Sequence, residues 1–90
     1  MNNLVSIITP SYNSSQFIEE CVNSVISQTF QNWEMIIVDD CSKDNSRELI
    51  LDLESKDKRI TSILLKNNYG SAEARNIAIR QAKGKYIAFL

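Results

Sequence analysis

The chain has 90 residues and a net charge of -1, and 43% of its residues are hydrophobic, which is enough for one small domain. This balance argues against a nucleic-acid binder, which would cluster Lys and Arg on one face. Because the sequence contains no histidine, it excludes Ser-His-Asp and Cys-His catalysis and imidazole metal ligands within these residues.

The first predicted strand covers residues 4–9, an apolar run rich in β-branched residues that ends at Pro10. A helix is predicted next, with an apolar stripe that begins at Phe17. We expect Asn13 to cap this helix, because an Asn followed three residues later by Gln16 resembles a capping box.

The second predicted strand covers residues 33–38 and ends abruptly at two adjacent carboxylates, Asp39 and Asp40. Neighbouring like charges are unfavourable unless a cation or a hydrogen-bond donor compensates them. The pair therefore predicts a functional site. Two nearby aromatic residues, Phe30 and Trp33, are expected in the core.

The rest of the chain continues this alternation of strands and helices. A second helix capped within residues 44–46, a third strand over residues 60–65 and a third helix that opens at Ser71 are predicted. Gly84 is expected as the C′ residue of that helix, before a fourth strand over residues 86–90. The order βαβαβαβ predicts one α/β domain with a parallel sheet and helices on its faces. Since so apolar a fourth strand usually has cover and a following element, we expect a fragment of a longer protein.

Three loops would meet at the carboxyl edge of this sheet, where open α/β sheets bind their ligands. They lie after the first, second and third strands, in residues 10–13, 39–45 and 67–74. The GxxxxGK[ST] phosphate loop and the GxGxxG dinucleotide fingerprint are both absent from the chain. The loops therefore argue strongly against NAD, FAD and P-loop NTPase chemistry.

A resemblance to a known family covers essentially the whole chain. The segment VSIITPSYNSSQFIEECVNSVISQTFQNWEMIIVDDCSKDNS resembles the N-terminal signature of family 2 glycosyltransferases, inverting GT-A enzymes that use nucleotide sugars. The segment NNYGSAEARNIAIRQAKGKYIAFL is similar to the part of that family that precedes its metal-binding Asp-x-Asp motif. The resemblance implies a Rossmann-like α/β fold, with a parallel sheet of order 3-2-1-4 and helices on both faces. Residues 1–90 would then be the nucleotide-sugar-binding part, in the N-terminal half of a GT-A domain truncated before Asp-x-Asp.

The resemblance also implies a nucleotide-binding role for residues on the three loops. In the family, the second acid of the pair hydrogen-bonds the N3–H of uracil, which gives this role to Asp40. Its chemistry agrees, since a carboxylate only accepts hydrogen bonds and uracil offers a ring N–H, whereas neutral adenine and cytosine do not. The alternative for Asp40 is a loop residue bonded to backbone amides. Asp39 is expected to hold its loop or to pair with Arg75. The predicted nucleotide-binding residues are Pro10, Tyr12, Asp39, Asp40, Gly70 and Arg75.

For the intact protein, the resemblance implies transfer of a glycosyl group from a UDP-sugar, with inversion, to a saccharide or lipid-linked hydroxyl acceptor. It implies Mn²⁺ or Mg²⁺ as cofactor, with the metal ligands and the catalytic base beyond Leu90. No catalytic or metal-binding residue is therefore predicted within this chain, which alone is expected to be inactive. A cytoplasmic protein, able to lie at the inner membrane face, is expected because neither a signal peptide nor an apolar membrane span is present in the sequence.

Two other functions are compatible with an α/β domain of this size. One is a non-catalytic nucleotide-binding or self-associating module, which would dimerise through the exposed strand over residues 86–90. The other is a nucleotidyltransferase, which would normally carry a glycine-rich and basic first loop. The first loop of this chain, PSYNSS, is neither.

Overall fold

The computed structural model describes residues 3–90 and contains the predicted alternation of strands and helices. The elements are β1 (Val5–Ser11), α1 (Ile18–Ser27), β2 (Trp33–Asp39), α2 (Ser46–Lys56), β3 (Ile60–Leu64), α3 (Ser71–Gln81) and β4 (Tyr86–Phe89). Each strand is short and rich in β-branched or aromatic residues, as the sequence pattern requires.

The four strands form one parallel sheet of order β3-β2-β1-β4. β1 is a central strand, which pairs with β2 from Val5 opposite Trp33 to Ser11 opposite Asp39. On its other edge β1 pairs with β4, from Val5 opposite Tyr86 to Ile8 opposite Phe89. The predicted fold class and strand order are confirmed.

Helices cover both faces of the sheet, so the core has two layers. Successive side chains of a strand point to opposite faces, and those of β2 divide accordingly. Met35 and Ile37 pack with α1 and α2, while Ile36 and Val38 pack with α3. On the α3 side the buried helix residues are alanines, Ala74 and Ala78, so α3 lies close against β1 and β2. This alternation continues to the ends of the strands and decides where the two carboxylates point.

The predicted capping box at the start of α1 is wrong. The helix begins only at Ile18, its N-cap residue is Phe17, and no side chain caps it. Asn13 instead adopts a left-handed backbone conformation with φ 49, which Asn tolerates better than most residues. The core prediction for Phe30 is also wrong, because this ring is 46% exposed, whereas Trp33 is buried as expected.

Gly84 does not serve as the left-handed C′ residue predicted for it. The C-cap of α3 is Ala82, in an extended conformation. Gly84 lies against β1 instead: its amide donates to the Ser6 hydroxyl at 2.8 Å, and a Cβ at this position would lie 2.6 Å from that oxygen. Glu34 on β2 accepts hydrogen bonds from Ser6 Oγ and from the Lys83 amide. The chain leaving α3 is thereby fixed to the amino edge of the sheet.

Within residues 3–90, the helices are all too short or too polar to cross a membrane.

Candidate functional site

A cleft of about 410 Å³ opens at the carboxyl edge of the sheet, beside the N-terminus of α3. This volume lies within the range of small-molecule pockets. The cleft is lined by Pro10, Ser11, Tyr12, Asp40, Asn68, Gly70, Ser71, Arg75 and Leu90. The structure thus brings together five of the six residues predicted from the sequence, and the sixth, Asp39, lies outside the lining.

Pro10 lines the cleft and lies on the edge of β1 that faces β4. Hydrogen bonds between β1 and β4 involve the even-numbered residues of β1, since Tyr86 N donates to Leu4 O and Leu90 N donates to Ile8 O. In a parallel ladder the next donor would be the amide of residue 10. Proline has no such amide, so β1 offers no backbone donor at this position beside the cleft. This is also the point where the strand order reverses, the usual ligand crevice of an open parallel sheet.

Asp39 and Asp40 are adjacent in sequence but point to opposite faces of the sheet. Asp40 faces the α3 side, is 4% exposed and lines the cleft. Its Oδ1 accepts the amide of Tyr69 and its Oδ2 that of Gly70, each at 2.8 Å. The Asn68 side chain donates to the Asp40 carbonyl at 3.1 Å. The sequence offered two roles for Asp40, recognition of a base or hydrogen bonding to backbone amides of a loop. The hydrogen bonds to backbone amides are present, and they hold the loop before α3 against the end of β2.

Asp39 is fully buried on the other face and holds its own loop. Its Oδ2 accepts the amide of Ser42 at 2.9 Å, and its Oδ1 accepts the Ser42 hydroxyl at 2.6 Å. The nearby cation is Arg47, with 3.8 Å between Arg47 Nε and Asp39 Oδ2. The predicted alternative of a pair with Arg75 is wrong, because Arg75 lies on α3, across the sheet from this carboxylate.

The two carboxylates do not suit a divalent metal. They diverge to opposite faces, and each is already bonded to backbone amides. Within residues 3–90, moreover, no group of three or more His, Cys, Asp or Glu residues could hold a metal ion. We therefore assign no metal ligand and no metal-dependent step to these residues.

Position 70 requires glycine because of its backbone conformation and not because neighbouring atoms leave no room for a side chain. With φ 92 and ψ 157 it occupies a region that is essentially restricted to glycine. Among residues 3–90, leaving aside Gly70 and its two chain neighbours, no atom lies within 4 Å of the position that its Cβ would occupy. This conformation directs the Gly70 amide toward Asp40 and starts α3 immediately afterwards.

Tyr12 and Arg75 are the exposed aromatic and cationic side chains of the cleft. The Tyr12 ring is 49% exposed, which leaves its face available to a flat ligand. Arg75 lies in the second turn of α3 and is exposed. No carboxylate within residues 3–90 forms an ion pair with Arg75. The cleft therefore combines a buried acceptor, an aromatic face and an uncompensated positive charge.

A family model described as glycosyl transferase family 2 matches residues 6–90. The chain belongs to glycosyltransferase family 2. Over 87 residues this family 2 chain is 52% identical to the putative teichuronic acid biosynthesis glycosyltransferase TuaG of Bacillus subtilis (strain 168). That similarity covers 97% of the chain and 34% of TuaG. The chain thus spans about a third of the length of this relative.

Two solved structures show the same fold. S. aureus TarS 1-349 in complex with UDP-GlcNAc has a TM-score of 0.87 and 34% identity, over 96% of this chain and 25% of that one. The mannosyltransferase PcManGT from Pyrobaculum calidifontis, in complex with GDP-Man and Mn²⁺, has a TM-score of 0.85 and 26% identity, over 92% of this chain and 25% of that one. The prediction of the N-terminal part of a GT-A fold is confirmed.

Sequence reasoning missed a hydrogen-bonded network that joins the first two loops of the family 2 chain. The amide of Asn13 donates to Ser42 Oγ at 2.8 Å, and the amide of Ser14 donates to Ser46 Oγ at 2.9 Å. Asp44 accepts the amide and hydroxyl of Ser46, and these hydrogen bonds, the side-chain one first, lower the pKa of Asp44 to about 2. The sequence signal for this network is the density of Ser, Asn and Asp in both loops. The same residues also favour helix caps, so the sequence predicts caps of two separate helices and not hydrogen bonds between the loops.

Proposed function

We propose that the cleft binds the nucleoside of a UDP-sugar, and that the intact protein transfers the glycosyl group, with inversion, to a saccharide or lipid-linked hydroxyl acceptor. Membership of glycosyltransferase family 2 supports the reaction class. The UDP-GlcNAc complex of TarS supports the donor class. The observation that carries the proposal is the Asp40 carboxylate, which lines the cleft together with the Tyr12 ring and the positive charge of Arg75.

Asp40 can accept a hydrogen bond from a base without losing its loop contacts. A carboxylate has about four lone-pair sites on its two oxygens, and the amides of Tyr69 and Gly70 use one site on each. A free site that faces the cleft suits the ring N–H of uracil. Neutral adenine and cytosine present an acceptor nitrogen at the matching edge, which would repel the carboxylate, so we expect UDP to bind more tightly than ADP or CDP.

Guanine also offers a ring N–H, and PcManGT is a relative whose structure contains GDP-Man. The size of the base distinguishes a UDP-sugar from a GDP-sugar. A purine extends further from the sugar than a pyrimidine, and the Asp40 oxygens are held in place by two backbone amides 2.8 Å away. We propose that this fixed carboxylate accommodates the pyrimidine and disfavours GDP.

Mn²⁺ or Mg²⁺ is the cofactor that we propose for the intact enzyme, in line with the Mn²⁺ in the PcManGT structure. The carboxylates of residues 3–90 do not fit such an ion, as described above. Its ligands and the catalytic base therefore belong, in this proposal, to residues outside the chain described here. What these residues contribute is binding and orientation of the nucleotide.

Titration of ¹⁵N-labelled protein with UDP, GDP, ADP and CDP tests base recognition. For these 90 residues alone we expect a UDP Kd of about 1 mM, equivalent to about -4 kcal/mol. Chemical-shift changes should concentrate at Tyr12 and at the amides of Tyr69 and Gly70, which donate to Asp40. Equal shifts with all four nucleotides, or no shifts in these loops, would contradict the proposal.

A second candidate function, self-association, is favoured by the exposure of β4. Tyr86, Ile87, Phe89 and Leu90 are all at least 43% exposed, and within residues 3–90 β4 is an edge strand. On this alternative the chain dimerises edge to edge through β4. Size-exclusion chromatography at two protein concentrations separates the cases, since dimerisation gives a concentration-dependent elution volume and the nucleotide-binding proposal does not require one.

A further inference from the structure

We propose that Ser42 is a positioning residue that makes the first and second loops one rigid unit, and so fixes Tyr12 relative to Asp40. The proposal rests on the proposed nucleotide site, in which Tyr12 and Asp40 both contact the base. Ser42 itself does not line the cleft. Its effect on a ligand would pass entirely through the residues that it holds.

Ser42 occupies the centre of the contact between the two loops. The residue is 9% exposed, and its hydroxyl donates to Asp39 Oδ1 at 2.6 Å while it accepts the amide of Asn13 at 2.8 Å. The contact is reciprocal, because the amide of Lys43 donates to Asn13 Oδ1 at 2.9 Å. Asp39 is thereby linked through one hydroxyl to the backbone of the first loop.

The backbone conformations on either side of this contact match. Asn13, with φ 49, directly follows Tyr12, and Cys41, with φ 65, directly follows Asp40. Within residues 3–90 these are the non-glycine residues with positive φ. Such conformations are unfavourable for residues with a Cβ, and they persist where the surroundings hold them. Ser42 and Asn13 supply that restraint, so each cleft residue leaves its strand through a turn that the other loop stabilises.

Removing the Ser42 hydroxyl is therefore expected to affect Tyr12, a residue that Ser42 reaches only through Asn13. Asn13 N–H loses its acceptor and Asp39 Oδ1 loses a donor, so the first loop can leave its left-handed turn. Tyr12 then samples several positions, while Asp40 stays bonded to Tyr69 and Gly70. Because only the fraction of molecules with Tyr12 in place binds well, we expect the UDP Kd to rise about five- to tenfold.

The test compares Ser42→Ala with Ser55→Ala, a matched loss of a hydroxyl on α2 whose oxygen donates only to the Asp52 carbonyl. Calorimetry gives the UDP Kd, and ¹³C relaxation of the Tyr12 ring in the ligand-free protein gives its order. Hydrogen exchange of the Tyr69 amide is the internal control, because Asp40 holds that amide independently of Ser42. Ser42→Thr, which retains the hydroxyl, should restore both Tyr12 order and affinity.

A raised Kd with loss of Tyr12 order and an unchanged Tyr69 amide supports the proposal. A Kd and a Tyr12 order equal to those of Ser55→Ala overturn it, whatever the thermal stability does. If the unaltered protein does not bind UDP, the nucleotide-binding proposal is refuted but the role of Ser42 is not. The order of the Tyr12 ring in Ser42→Ala and in the unaltered protein then shows whether Ser42 fixes the first loop. If Ser42→Ala does not fold, Asn13→Gly decides by the same measurements, since it permits the left-handed turn but removes the acceptor of the Lys43 amide.

Discussion

Replacement of Asp40 by Asn is expected to raise the UDP Kd at least tenfold and to loosen the loop that precedes α3. The Asp40 oxygens accept the amides of Tyr69 and Gly70 at 2.8 Å each. An Asn side chain has one acceptor oxygen and one NH₂ group, so it must direct a donor at one of those amides. Hydrogen bonds to a charged group contribute about 1.5–3 kcal/mol, and about 1.4 kcal/mol corresponds to a tenfold change in affinity.

Two measurements separate the loop effect from base recognition. Hydrogen exchange at Tyr69 and Gly70 reports the loop in the ligand-free protein, and calorimetry with UDP reports binding. Asp52→Asn is the control, because Asp52 is an exposed carboxylate on α2 that pairs with Lys56. Faster exchange with an unchanged UDP Kd would mean that Asp40 serves the loop alone. Unchanged exchange would contradict the hydrogen bonds that define this end of the cleft.

Gly84→Ala is expected to destabilise the fold by about 3 kcal/mol, the upper part of the usual range for overpacking. The new Cβ would lie 2.6 Å from Ser6 Oγ and 2.7 Å from both Leu4 O and Ser6 N. Backbone atoms of a central strand cannot move aside as a flexible side chain can. For a domain of this size the corresponding fall in Tm is about 15 °C, measurable by circular dichroism.

A second substitution identifies which contacts cause this loss of stability. In a Ser6→Ala background the hydroxyl is gone, yet the two backbone atoms remain at 2.7 Å, so Gly84→Ala should still lower the Tm by a similar amount. Full recovery in that background would mean that the side chain alone was in the way. Lys83→Ala is the surface control: it keeps the amide that donates to Glu34 and should change stability by less than about 0.5 kcal/mol.

The strands themselves were predictable because the signals that define them are local. Each strand is a short apolar run, and the alternation with helices requires parallel pairing through right-handed crossovers. Side-chain alternation along β2 also explains, with no further information, why Asp39 and Asp40 serve different faces. The strand order itself came from the resemblance to the family, since the pattern alone leaves several orders open.

Contacts between loops were not predictable in the same way. Asn13 and Gln16 have the spacing of a capping box, but the Asn13 oxygen accepts the amide of Lys43, thirty positions away in sequence. Of the two alternatives for Asp39, the pair with Arg75 likewise named a cation on the wrong helix, because Arg47 and Arg75 both lie early in a helix that follows a strand. Which of two such helices covers which face depends on crossover geometry, and sequence spacing does not report it.

The position of β1 in the sheet also affects folding during synthesis of the chain. β1 comes first among the described elements, whereas β4, the strand that covers one of its edges, follows it by more than two helices and two strands of chain. At about 5–20 residues per second, synthesis of the intervening chain leaves that edge without its partner for several seconds. Unpaired strand edges recruit other chains. Pro10 lies on this same edge and removes one of the amides that a neighbouring nascent chain could bind, so a residue that lines the cleft in the folded protein also limits mispairing before folding is complete.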